Sequence, residues 1–138
     1  MCHCHWCRKT SGHNGNTFAV VMSDQVSFHF HRKESSQETY PEPIWLTPVL
    51  QFTVLSGSDK TFTRTADSGN PMTSYSCEKC SCIMWVKAEN KPTIRMIRTG
   101  TIDDDAVLEK MVPSKELYCS YRPGSFAEYP GIVHADEM

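Results

Sequence analysis

Three cysteines fall within the first seven residues, in the run MCHCHWCRK. The CxCxxC spacing of Cys2, Cys4 and Cys7 disfavours bridges among them but lets three thiolates wrap one ion. A sulfur set of this kind selects zinc or another thiophilic metal, and zinc prefers four ligands in a tetrahedron. Three protein ligands leave the fourth position open, which separates a catalytic zinc from a structural one. Neighbouring positions alternate sides in an extended chain, so His3 and His5 are expected to turn away from the ion, behind the ligands or into solvent. Arg8 and Lys9 follow at once. They are read either as cations steadying thiolates or an anionic substrate, or as two exposed basic residues. Trp6, between ligands, is expected to pack beside the site or line its entrance.

A second group comprises Cys77, Cys80 and Cys82. CEKC at Cys77 and Cys80 is half of a zinc knuckle, and structural zinc needs four ligands. The chain offers no clear second pair. Cys82 is read as a further ligand or a plain buried thiol, and Cys119 as a small core residue. Seven cysteines is an odd number, which makes a disulfide framework the poorer reading and a reducing compartment the better one.

The bulk numbers are consistent with this. At 138 residues the chain is long enough for one domain with a real core. A formal net charge of -2, with charges intermixed, gives no reason to expect a nucleic-acid partner. The longest purely apolar run, Phe18 to Met22, is far short of the ~20 residues that span a bilayer. The first residues lack a secretory signal's basic and apolar regions. The expectation is a cytoplasmic protein, with the nucleus left open. Oligomeric state is not legible.

Short strands must position these groups. TFAVVM (17–22), Phe52 to Leu55, KTFTRT (60–65), Thr73 to Ser76, IMWVK (83–87) and TIRMIR (93–98) are β-branched, aromatic or alternating and predict strands. The strands flanking CEKC form a hairpin with the knuckle at its tip, and Trp85 belongs to the core. Thr10, Ser11 and Gly12 are expected to turn the chain from the cysteines into the first strand. Asp103 to Met111 predicts one short helix with Asp103 or Asp104 as its N-cap. Glu116 to Tyr121 reads as a last strand. Residues 123–138 are Gly/Pro-rich and expected to be an irregular tail, in which His134 is given no role. Residues 26–51 carry three prolines and no sustained period, and read as an irregular insertion. The whole is a single, mostly β domain.

CHCHWCRKTSG, KTFTRTADSGNPMTSYSCEKC, IMWV and RTGTIDDD, in that order, resemble the glutathione-dependent formaldehyde-activating enzyme family, the domain family that includes centromere protein V. The resemblance implies a zinc-binding β-tent of small antiparallel sheets. It implies that Cys2, Cys4 and Cys7 match the catalytic zinc ligands, and that Cys77 and Cys80 match half of a structural zinc site. Three departures stand out. An upstream CxC pair that completes the structural site in the family is missing, so the expectation is a member truncated at its N-terminus. Ser81 stands where the knuckle usually continues with glycine, and a positive φ there would cost a residue with a Cβ. Deleting 26–51 restores family-like spacing. That segment is therefore read either as a family-specific loop or as a retained in-frame intron, since its ends can be encoded as intron boundaries.

A zinc ion on three thiolates is a weak generator of hydroxide but well suited to bind another thiol and hold it as thiolate. The resemblance implies glutathione as that thiol and formaldehyde as the electrophile. The expected activity is that of a carbon–sulfur lyase, forming or cleaving S-hydroxymethylglutathione. Arg8, Lys9 and Arg64 are the candidates to bind the peptide's carboxylates; no general acid is identified. The alternatives are a zinc-stabilised binding module without catalysis, and a degenerate copy lacking the structural zinc.

Overall fold

A computed structural model describes residues 1–22, 27–29 and 53–136. The expectation of a mostly β domain holds. Helix α1 spans His5–Ser11, followed by β1 (Phe18–Met22), β2 (Ser27–His29), β3 (Thr53–Ser56), β4 (Asp59–Thr65), β5 (Pro71–Cys77), β6 (Ile83–Ala88) and β7 (Ile94–Arg98). A short helix α2 (Asp105–Leu108) then leads to β8 (Lys115–Leu117) and β9 (Val133–Ala135).

Five strands make one antiparallel sheet in the order β1-β7-β6-β5-β4. Its register places Trp85 opposite both Tyr75 and Ile97, and Val86 opposite both Ser74 and Met96. Side chains alternate across a pleated sheet, so two faces follow. One buries Trp85 and Ile97, with the Tyr75 and Trp85 rings stacked at 5.0 Å. The other carries Met72, Val86 and Ala88, packed with Phe18 and Met96. The edge strand β4 is largely exposed on both faces, and Phe62 is 54% exposed. The β5–β6 hairpin expected around the knuckle is present, and Ser81 at its tip has φ 60°.

Two smaller pairs, β2–β3 and β8–β9, run parallel, where small antiparallel sheets were expected throughout. A parallel pair needs a long connection. For β8–β9 it is supplied by the tail, which was read as irregular but returns Val133–Ala135 beside Lys115–Leu117. Ser27–His29 likewise belongs to a strand within the segment read as an irregular insertion; the rest of that segment, apart from these residues, lies outside the described residues. The predicted helix shortens to α2, and Asp104 caps it by accepting the Val107 N–H at 3.1 Å. No helix among the described residues is long and apolar enough to cross a membrane.

Candidate functional site

The N-terminal segment is stitched between two others. Cys2 and Asn16 exchange backbone hydrogen bonds of 2.9 and 3.0 Å, and His3 N–H donates to the Leu117 carbonyl at 3.0 Å. Gly15 makes this approach possible, because a Cβ there would lie 2.5 Å from the Cys2 carbonyl oxygen. Cys4 then ends the extended segment as N-cap of α1, its sulfur accepting the Cys7 N–H at 3.5 Å. Gly12 stops the helix in the left-handed region, φ 64°, and Arg8 and Lys9 lie in its last turn, where cations favour the helix dipole. The expected turn at 10–12 is thus the end of a helix. Asn16 Nδ2 donates to the Cys7 carbonyl at 2.7 Å and so ties helix to loop.

These contacts gather Cys2, Cys4 and Cys7, all buried, with their sulfurs within 4.8 Å of one another. Their protons are strongly interdependent. The Cys4 thiol is held far below its ordinary value, because Cys2 and Cys7 donate S–H hydrogen bonds to its sulfur, aided by the Cys7 N–H and the Arg64 charge. Cys2 and Cys7 are pushed up, each chiefly because it gives its proton to a neighbouring sulfur, and burial adds to the effect. Three buried sulfurs of this kind fit a thiophilic divalent cation: sulfurs sharing a tetrahedral zinc lie about 3.8 Å apart. The cluster can hold a metal ion.

Among the described residues His3 is the least exposed, at 0%. As expected from alternation, it turns away from the sulfurs, but it faces neither ion nor solvent. Its Nδ1 donates to the Asn14 carbonyl at 2.6 Å, and its Nε2 meets Glu116 Oε1 at 2.6 Å. Glu116, 1% exposed, also accepts from His134 Nδ1 at 2.8 Å and Arg122 Nη1 at 3.0 Å through Oε2. Burial raises the Glu116 pKa, but the hydrogen bonds from His3 and His134 and the Arg122 charge outweigh it and hold the carboxyl below its ordinary value. His134, given no role in the sequence reading, is therefore part of a buried charge network behind the site. Cys119 lies beside it, its sulfur 4.0 Å from His134 Nδ1. Glu116, Cys119 and His134 form a second group able to hold a cation, although Arg122 already occupies the carboxylate.

In front of the sulfurs opens a cavity of about 520 Å³, lined by Cys2, Cys4 and Cys7 and reaching across the sheet. Trp6 lines it, as one of its two readings expected; its ring stacks on Phe62 at 5.5 Å and lies 4.6 Å beneath the Arg64 guanidinium. Arg98, missed by the sequence reading, also lines it and donates to Thr10 Oγ1 at 2.6 Å, joining β7 to α1. Burial lowers the Arg98 pKa, and the nearby Cys7 sulfur partly offsets this. Arg64 Nε, Arg98 Nε and Trp6 Nε1 are buried donors without partners. Of the predicted substrate cations, Arg64 is thus brought to the sulfurs. Arg8 and Lys9 are not among the cavity's lining residues.

Cys77 and Cys80 sit at the far hairpin tip. The backbone N–H groups of Cys80 and Lys79 point at the Cys77 sulfur and lower its pKa. Among the described residues no group of three ligands includes them. Cys82 is exposed, so it is not a buried thiol.

A family model described as glutathione-dependent formaldehyde-activating enzyme matches residues 32–121, about two thirds of the chain. The match takes in Arg64, Cys77, Cys80 and Glu116 and stops short of Cys2, Cys4 and Cys7. No curated protein matches the chain.

Proposed function

The chain belongs to the glutathione-dependent formaldehyde-activating enzyme family, and on that premise we propose that it forms or cleaves the carbon–sulfur bond of a thiol–aldehyde adduct, with glutathione and formaldehyde as the reference pair. One observation carries the reading: three buried sulfurs within 4.8 Å of one another line a cavity of substrate size. Cys2, Cys4 and Cys7 would hold zinc, and Cys77 and Cys80 would contribute two ligands to a structural zinc. Zinc on three thiolates lowers the pKa of a fourth, incoming thiol and keeps it as thiolate at neutral pH.

The chain's own residues supply position and charge. Arg64 and Arg98 stand beside Cys4 and Cys7 and offset the negative charge of the sulfur cluster. Their guanidinium groups, on two residues that line the cavity, suit the carboxylates or carbonyls of an anionic peptide thiol. Arg8 and Lys9 are proposed to attract such an anion from outside the cavity. In the forward direction the substrate sulfur attacks the aldehyde carbon. A C–S bond forms, the C=O π pair moves to oxygen, and solvent supplies the proton that makes the hydroxyl. Bond cleavage runs the same steps backwards. Holding both reactants in one cavity removes much of the entropic barrier. Seven cysteines, an odd number, favour a reducing compartment, the cytoplasm.

Metal analysis and exchange NMR test the reading together. Purified protein should carry at least one zinc per chain and accelerate exchange between glutathione, formaldehyde and their adduct. Cys4→Ala should lose one zinc equivalent and the acceleration. Equal exchange rates in the two proteins would reject the mechanism.

A further inference from the structure

Formaldehyde has two heavy atoms and fills roughly the space of one or two waters, about 30 Å³ each. The cavity in front of the sulfurs has about 520 Å³, within the range of ~300–1,000 Å³ typical of pockets for drug-sized ligands. Its polar groups are unevenly placed. Arg64, Arg98 and the sulfurs stand together, while Asn90 and Lys91 line the cavity beside Ala88 and Ile94. The wall beyond them is the sheet face that carries Phe18, Met72, Val86, Ala88, Ile94 and Met96. Phe18 packs against both the sulfur cluster and the Met72–Val86–Ala88 cluster, so the apolar wall is continuous with the site. Those six side chains themselves offer a carboxylate no partner, and a charge held against them would lose its hydration.

We propose that the carbonyl half of the adduct carries an apolar tail, an alkyl chain of about six carbons or an aromatic ring, which lies along Phe18, Met72, Val86 and Met96. This rests on the thiol–aldehyde reading above and specifies its substrate class. The thiol's charged body stays at the arginine end. The chemistry is unchanged: sulfur adds to the carbonyl carbon of R–CHO, and the thiol's proton ends on the hydroxyl of the hemithioacetal, with no net oxidation or reduction. Methionines on the wall suit a tail of variable shape, since an unbranched thioether repacks easily.

The test uses the full zinc-loaded chain and two stable thioethers, S-methylglutathione and S-hexylglutathione, compared by isothermal titration. Neither has a free thiol, so the comparison reads the tail and not the reaction. A fully buried methylene is worth roughly fourfold in affinity. Five extra carbons, about half buried, should make the hexyl compound bind at least about 30-fold more tightly. Met96→Glu and, independently, Ile94→Glu should cut that ratio below about fivefold, with thermal melts confirming that each variant is folded. Exchange NMR with glutathione and either formaldehyde or hexanal separates the two levels of the reading. A hexyl preference with faster exchange of hexanal supports the proposal. Formaldehyde exchange with equal binding of the two thioethers overturns it and leaves the parent reading standing. A hexyl preference with no exchange of either aldehyde supports the cavity assignment and rejects the lyase. Equal binding of the two thioethers by the unaltered chain overturns the inference without recourse to any variant.

Discussion

Replacing Glu116 by leucine or by glutamine perturbs the network behind the sulfurs in two different ways. The carboxylate serves three donors: His3 Nε2 at 2.6 Å, His134 Nδ1 at 2.8 Å and Arg122 Nη1 at 3.0 Å. Leucine fills similar space and accepts nothing. It strands His3 at 0% exposure and Arg122 at 13%, the latter keeping only its contact with Glu128. Removing one partner of a buried ion network costs about 3–5 kcal/mol. Glutamine behaves differently because His3 can adapt. The Nδ1 of His3 must carry a proton, since the Asn14 carbonyl only accepts. A neutral His3 therefore has Nε2 free to accept an N–H from the introduced side-chain amide, while the amide oxygen serves His134 and Arg122. The loss is then the difference between charged and neutral hydrogen bonds, about 1–2 kcal/mol.

A chain of this length loses roughly 3–5 °C of Tm per kcal/mol. Melts at pH 7 should therefore fall by about 9–25 °C for Glu116→Leu and about 3–10 °C for Glu116→Gln. Acid adds an independent check. The folded-state carboxyl lies below its ordinary value of 4.5, so below that pH the unfolded chain takes up the proton first and unfolding is favoured. The stabilisation is complete above the ordinary carboxyl range and is lost as pH falls through the folded-state value. The gap between the unaltered chain and Glu116→Gln should accordingly narrow from pH 6 downwards through pH 4 and below. Equal small losses in both variants, or a gap independent of pH, would refute the assignment of Glu116 as the ionised centre of the network.

Gly15→Ala places a methyl 2.5 Å from the Cys2 carbonyl and 3.1 Å from His3 Nδ1; it should destabilise by about 1–3 kcal/mol in urea titration and weaken zinc retention against a chelator. Ser81→Gly relieves a left-handed backbone at φ 60° and should raise stability by about 0.5–1 kcal/mol with no change in exchange activity. Phe62→Ala removes the ring stacked on Trp6 at 5.5 Å; as Phe62 is 54% exposed, stability should fall by less than about 1.5 kcal/mol, while Trp6 fluorescence shifts to the red.

The main sheet was legible because its strands announce themselves: TFAVVM, KTFTRT and IMWVK are β-rich, and they form β1, β4 and β6 nearly to the residue. Asp104 was legible as a cap because carboxylates commonly fill that role. Helix α1 was not. Seven residues are too few to display a period, and its cap is a thiol. Nor could the tail be read. Its strand β9 has three residues, held by the register that sets His134 beside Glu116 rather than by any apolar pattern. The alternation rule correctly turned His3 away from the sulfurs, but it says nothing of what lies on that side. There the β8 segment waits: Leu117 fixes the His3 backbone, and Glu116 fixes its ring. His3 lies between Cys2 and Cys4, so a contact spanning 113 positions in sequence restrains both cysteines from behind. The residues that pack behind the sulfur cluster carry no spacing signature, because partners so far apart meet only once the chain has folded. A CxCxxC run can state which ion it prefers. How firmly it is held in readiness depends on a glutamate and histidines that only the fold assembles.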